Sequence, residues 1–156
     1  PTIEDTYDTD IEVDGEHVEL SLCNVSGLEE YGGICAMNYS DTHIIVLCFF
    51  IDSPGSLYNV KKQVCQHLQT SFHFVEGHSC PDIPIIFVGC KSDLRYDPET
   101  TERLSTRWNS KCLVTHEEAM AVSMKIGAMM YLECSSATGA GVREVFQNAT
   151  RAALLR

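Results

Sequence analysis

The hydrophobic period changes several times along the chain, and each change marks an element. Ile11 and Val13 alternate with polar residues, Asp14-Gly15 interrupts, and Val18, Leu20 and Leu22 alternate again. Period-two alternation on both sides of an Asp-Gly turn predicts an antiparallel ribbon with one buried face. Ile44 to Phe50 and Ile85 to Val88 are continuous apolar runs instead, the pattern of parallel strands covered on both faces. Between them Leu57, Val60, Val64 and Leu68 recur at helical spacing. Asp52 or Ser53 supplies the cap of that helix and Pro54 its first turn. Asp97-Pro98 opens a helical patch that runs to about Trp108. Thr115 and Glu118 form a capping box for a helix with Ala119, Val122 and Ile126 on its buried edge, and Gly127 stops it. Met129 to Glu133 reads as the last strand, and Val142, Val145, Phe146, Ala149 and Ala153 as the apolar stripe of a final helix. Strands alternating with helices predict an α/β fold with a mostly parallel sheet and helices on both faces. A length of 156 residues fits a single domain, residues 1–156.

Composition narrows the function classes. A net charge of −11 repels a polyanion, so nucleic acid is not an expected partner. No apolar run is long enough to span a bilayer, and no secretory signal is present. The eight cysteines are scattered without a paired rhythm, which points to a reducing, intracellular, cytoplasmic setting. Cys48 lies inside an apolar run and reads as a small buried hydrophobe. Cys65, His67, His73, His78 and Cys80 fall in or beside the segment Gln69–Pro84 and are zinc-binding types. Their spacing fits no zinc motif, and a solvated insertion is the preferred reading.

The chemistry concentrates after the run Ile85-Ile86-Phe87-Val88-Gly89. There Cys90, Lys91, Asp93 and Leu94 follow the carboxyl end of a buried strand, where open α/β sheets bind ligands. An aspartate at that place can accept two hydrogen bonds from a flat heterocycle with adjacent N–H donors. A lysine stem can cover the ring face while its ammonium stays near water.

This stretch resembles the Asn-Lys-x-Asp base-recognition motif of small GTPases, with Cys90 at the asparagine position. Asp10-Ile11-Glu12-Val13-Asp14-Gly15, Ile51-Asp52-Ser53-Pro54, Glu133-Cys134-Ser135 and Val142-Arg143-Glu144-Val145-Phe146 resemble the Rho family, and the likeness runs from the first residue to the last. The resemblance implies a Ras-like P-loop NTPase fold that binds GTP and GDP with Mg2+. It places Cys90, Lys91, Asp93 and Leu94 at the base. Ser135, Ser136 and Ala137 stand in the loop whose backbone amides face the guanine carbonyl. Ser136 replaces an alanine and keeps its backbone donor, whereas Ala137 replaces a lysine and removes a stem. Thr2 matches the first-switch threonine that holds magnesium and the γ-phosphate, and Gly27 the second-switch glycine that approaches that phosphate. Asn24 replaces a magnesium-supporting aspartate and so marks a weak metal position. Leu28 stands where the family has the glutamine that orients water, so no catalytic residue is assigned and slow hydrolysis is expected. Rho-type effectors and regulators are the implied partners, through the switch regions.

The resemblance also implies parts that these residues do not contain. The family's first strand, phosphate loop and first helix are absent, and no Gly-x-x-x-x-Gly-Lys-Ser/Thr occurs among the 156 residues. Nucleotide binding by these residues alone is therefore expected to be weak. The absent strand would lie between the strand ending near Cys23 and the one at Ile44–Phe50. Those two strands then pair directly, or leave a gap, or accommodate upstream sequence, and the last is expected. The chain ends Leu154-Leu155-Arg156 with no basic tail or lipid-accepting cysteine, so these residues encode no membrane attachment. Two functions remain in view: a guanine-nucleotide switch with slow turnover, or a non-enzymatic pseudo-GTPase that binds partners around Tyr31 and Glu102.

Overall fold

A computed structural model describes residues 4–25, 41–71, 83–107 and 113–155. The ribbon pairs as its alternation requires, but the expected buried face is only half-buried at Ile11, Val18, Leu20 and Leu22, with Val13 alone buried among its described apolar residues. Strand β1 (Glu4–Val13) pairs antiparallel with β2 (Glu16–Val25), with Val13 opposite Glu16 across the turn. Asp14 and Gly15 both take positive φ, 54° and 82°, the backbone sense that a tight hairpin needs. Both strands extend well beyond the residues that alternate cleanly. Cross-strand pairing continues through polar positions such as Asp8 opposite Ser21.

Three parallel strands make the second sheet, in the order β3 (Ile45–Phe50), β4 (Ile85–Cys90), β5 (Met130–Cys134). Helix α1 (Pro54–Ser71) carries the chain from β3 towards β4. Ser53 caps it by accepting from the Ser56 amide at 3.3 Å. A 3-10 turn (Ser92–Tyr96) follows β4, then α2 (Pro98–Arg107) and α3 (His116–Lys125), and α4 (Val142–Leu154) closes the chain. The α3 capping box is complete: the Thr115 hydroxyl accepts from the Glu118 amide, and the Glu118 carboxylate accepts from the Thr115 amide.

Each face of the parallel sheet has its own core. On one face Phe49, Ile51, Phe87 and Tyr131 pack against Val60 of α1 and Ala119, Val122 and Ile126. The Phe49 and Phe87 rings stack with centroids 4.8 Å apart. Gly89 makes this possible, because a Cβ there would meet the Tyr131 hydroxyl at 2.8 Å and the Phe49 ring at 3.1 Å. On the other face Ile86 and Val88 pack against Val145 and Ala149 of α4. Helices thus lie on both faces, and the Ras-like α/β architecture holds.

Some expectations need correction. β3 is not buried on both faces: Val46, Cys48 and Phe50 are exposed, so Cys48 is no buried hydrophobe. The cause is the reach of α4, whose apolar stripe packs on β4 and β5. The last strand sits one residue later than its pattern suggested, and Ala152, not Ala153, completes the buried stripe of α4. Among the described residues β2 does not pair with β3, and the two sheets stand separate. Val64 and Leu68 lie in α1, but their side chains, like those of Cys65 and His67, fall outside what is described. Most of the segment Gln69–Pro84, with His73, His78 and Cys80, lies outside the described residues, as do Tyr31 and Trp108.

Candidate functional site

The register of β4 and β5 builds the site. Cys90 ends β4 directly opposite Cys134, which ends β5. The residues that leave those two strands are therefore neighbours. Lys91 leaves β4 with left-handed backbone angles, φ 63° and ψ 40°, which costs a non-glycine residue about 1 kcal/mol. This bend turns the chain outward into the 3-10 turn that bears Asp93. The turn is closed by the Leu94 amide donating to the Lys91 carbonyl at 3.1 Å.

Asp93 and Ser135 meet. The Ser135 hydroxyl donates to Asp93 Oδ1 at 2.5 Å and accepts from the Thr138 amide at 3.2 Å. Ser135 is 1% exposed, so this hydroxyl fixes the carboxylate from inside the protein. A carboxylate keeps further lone pairs for outside donors. The Ser135 amide itself donates to the Ala140 carbonyl at 2.8 Å and is not available to a ligand. The amides of Ser136 and Ala137, both exposed residues, meet no protein acceptor among the described residues. Gly141 shapes this loop: with φ 72°, a Cβ on it would stand 2.2 Å from the Glu133 carbonyl oxygen.

Lys91 is aimed by groups that the sequence reading overlooked. Its ammonium bridges Asp52 Oδ1 and Oδ2 at 3.2 and 3.0 Å and lies 4.5 Å from the centroid of the Phe50 ring. A cation over an aromatic face next to a carboxylate is well held. Phe50 and Asp52 end the neighbouring apolar run, and only the register of β3 with β4, Phe50 opposite Cys90, brings them to Lys91.

A second overlooked set anchors the turn. Arg95 donates to Glu133 Oε2 at 2.9 Å and to the Val114 carbonyl at 3.0 Å. The Tyr131 hydroxyl donates to Glu133 Oε1 at 2.6 Å, and His116 Nδ1 lies 3.3 Å from the same oxygen. Burial, followed by the Glu133 charge and hydrogen bond, holds the Tyr131 phenol well above its usual range. This network ties the segment bearing Asp93 to β5.

Cys90, in the asparagine position, touches other thiols. Its own ionisation is suppressed, chiefly by its hydrogen bond with Cys48 and then by burial. Burial first, then Cys90, pushes Cys134 up to about 11. The Cys90 hydrogen bond lowers Cys48.

Thr2, Gly27 and Leu28 lie outside the described residues. Asn24 is exposed on β2 opposite Asp5. A neutral amide is a poor sole ligand for magnesium, which favours carboxylates in a strict octahedron. Among the described residues no group of three His, Cys, Asp or Glu side chains could hold a metal ion. The described residues do not fit magnesium by themselves. Among them, too, no helix is long and apolar enough to cross a membrane. Two shallow hollows of about 280 and 290 Å³ lie between the ribbon and α4, away from the motif. Lys91, Asp93 and the Ser135–Ala137 loop form an open rim between loops, apart from these hollows.

Comparison with known proteins identifies the family. The Ras family model matches residues 1–155. The chain is 46% identical to the GTP-binding protein rho1 of Schizosaccharomyces pombe, over all of this chain and 72% of that protein. It is 42% identical to the GTP-binding protein rho5 of the same yeast, over all of this chain and 73% of that protein. The GTP-binding protein RHO1 of Saccharomyces cerevisiae is 44% identical over 99% of this chain and 69% of that relative. With its parallel sheet, base motif and whole-length likeness, the chain belongs to the Ras family and, within it, to the Rho-family small GTPases.

Proposed function

We propose that the rim formed by Lys91, Asp93 and the Ser135–Ala137 loop seats guanine, and that the protein serves as a Rho-type guanine-nucleotide switch. The observation that carries this reading is the Asp93 carboxylate, fixed by buried Ser135 at 2.5 Å beside a lysine held by Asp52. Guanine presents an N–H and an amino group side by side, which a carboxylate accepts together. Its ring carbonyl is an acceptor for the Ser136 and Ala137 amides. Adenine offers the opposite pattern on that edge, so the seat discriminates by leaving polar groups unpaired with the wrong base. The Lys91 stem covers one ring face. The relatives' description as GTP-binding supports the reading. Rho-type regulators and effectors are the partners it implies, through the switch regions.

Base contacts act alone in these residues, so affinity is low and the test works at millimolar ligand. In an amide-resolved NMR titration, GDP shifts Leu94, Ser136 and Ala137, ADP does not, and Asp93→Asn abolishes the response to GDP. Equal response to ADP, or shifts confined to the ribbon, would defeat the reading.

A pseudo-GTPase reading is favoured by Leu28, which has no group to orient water, and by Asn24 in place of a carboxylate. It requires that partner capture be the same with GDP, GTP or neither.

A further inference from the structure

Three cysteines of the parallel sheet lie on one face. Residues two apart in a strand share a face, and Cys90 and Cys134 are direct register partners. Cys48 lies opposite Val88, two residues before Cys90, so it shares that face as well. Register therefore sets the Cys90 thiol beside Cys134 and diagonal to Cys48 on that face. All three are free, with Cys48 exposed and Cys90 and Cys134 half-buried. Two of them adjoin the base rim: Lys91 follows Cys90, and Ser135 follows Cys134.

We propose that this thiol row is a site of reversible oxidation by peroxide, entered at Cys48 and ending in a Cys90–Cys134 disulfide that links the two base-site loops. Neighbouring strands lie about 4.8 Å apart, inside the Cα range of about 4.4 to 6.8 Å that a disulfide spans. The Cβ atoms, about as far apart as the strands, must close by roughly 1 Å to reach the mean disulfide separation. Both residues are the last of their strands, but Ser135 after Cys134 is buried and Gly141 packs against Cys134, so the closure is borne as strain. A bond formed under such strain is readily reduced, as a reversible device requires.

The steps balance. The Cys48 thiolate attacks one peroxide oxygen, the O–O bond breaks, and water leaves after protonation, giving a sulfenic acid. The Cys90 sulfur attacks that sulfenic sulfur, and the expelled hydroxide takes the Cys90 proton as a second water. Cys134 then attacks Cys90, and Cys48 leaves as thiolate and recovers a proton. In sum, two thiols lose two electrons and one peroxide becomes two waters. Exposure together with the hydrogen bond from Cys90 suits Cys48 to both entry and departure. Direct register favours the Cys90–Cys134 pair as the end state over the diagonal Cys48–Cys90 pair.

The test is peptide mass mapping, without reductant, of the full chain after hydrogen peroxide. The expected main product is a Cys90–Cys134 linked peptide that dithiothreitol abolishes. Cys48→Ser slows its formation, and Cys134→Ser stalls the row at a Cys48–Cys90 link. A wild-type end product that joins any other pair, or no link at Cys90, overturns the proposal; wild-type mapping decides this even if a variant fails to fold. The effect on ligand rests on the guanine reading: oxidised protein loses the GDP-dependent amide shifts. Reduced protein that ignores GDP would defeat that reading and leave the disulfide standing.

Discussion

The ribbon and the parallel sheet are both made of apolar residues at regular spacing, yet they place them differently. In the ribbon, residues 5–10 are all exposed, and Val13 is its one buried apolar side chain among the described residues. In β4, Ile86, Phe87 and Val88 are at most 1% exposed. The difference lies in what covers each. β4 has paired strands on both edges and helices on both faces, whereas the ribbon leans on α4 and pins its turn there. Arg151 donates to Asp14 through Nε at 2.7 Å and Nη2 at 2.8 Å. The base rim is built on the well-covered part, so its geometry is set by packing, and the ribbon is free to present its outer face.

That contrast is open to attack at several points. The largest effect is expected from Gly141→Ala, which drives a methyl into the Glu133 carbonyl from a left-handed backbone. A loss of about 3 kcal/mol is expected in urea unfolding. A loss below 1 kcal/mol would mean that the loop is looser than its contacts imply. Next is Glu133→Gln, which leaves Arg95 facing a neutral amide. Arg95 and Glu133 are 18% and 21% exposed, and Arg95 Nε is already buried without an acceptor among the described residues. The expected cost is about 2 kcal/mol by the same assay, with faster amide exchange at Asp93 and Leu94.

The smallest effect belongs to the ribbon. Arg151 lowers the Asp14 carboxyl below its ordinary range, mainly by hydrogen bonding. A group whose folded pKa is depressed contributes stability that is complete above its unfolded pKa and is lost as pH falls through the folded one. Wild-type stability should therefore fall more steeply than that of Asp14→Asn as pH drops below the carboxylate range. At neutral pH the substitution should speed amide exchange near the turn and barely move the unfolding midpoint, since exposed pairs contribute little. Equal pH slopes would show that the pin carries no weight.

The same contrast explains what could be read from the residues alone. Local rules sufficed for the Asp14-Gly15 turn, the Thr115–Glu118 capping box and the alternation of strand with helix, and narrowed the cap of α1 to Asp52 or Ser53. Each depends on neighbours within a few positions. Lys91, Asp93 and Ser135 stood out in the sequence because a motif carries them, and the structure brings Asp93 and Ser135 together. Their supports were not legible, because Asp52 reaches Lys91 and Glu133 reaches Arg95 across about forty intervening residues. Only register brings such pairs together. β3 misled for the same reason: an apolar run reveals strand character, but whether a helix reaches far enough to shield it is decided by tertiary packing.

The Asp14–Arg151 bridge joins groups 137 positions apart, which bears on how the molecule assembles. A hairpin closes in microseconds, while contacts of great separation wait until the intervening chain has condensed. Formation of this ion pair should therefore be a late event in refolding, and a probe placed across it would time completion rather than nucleation.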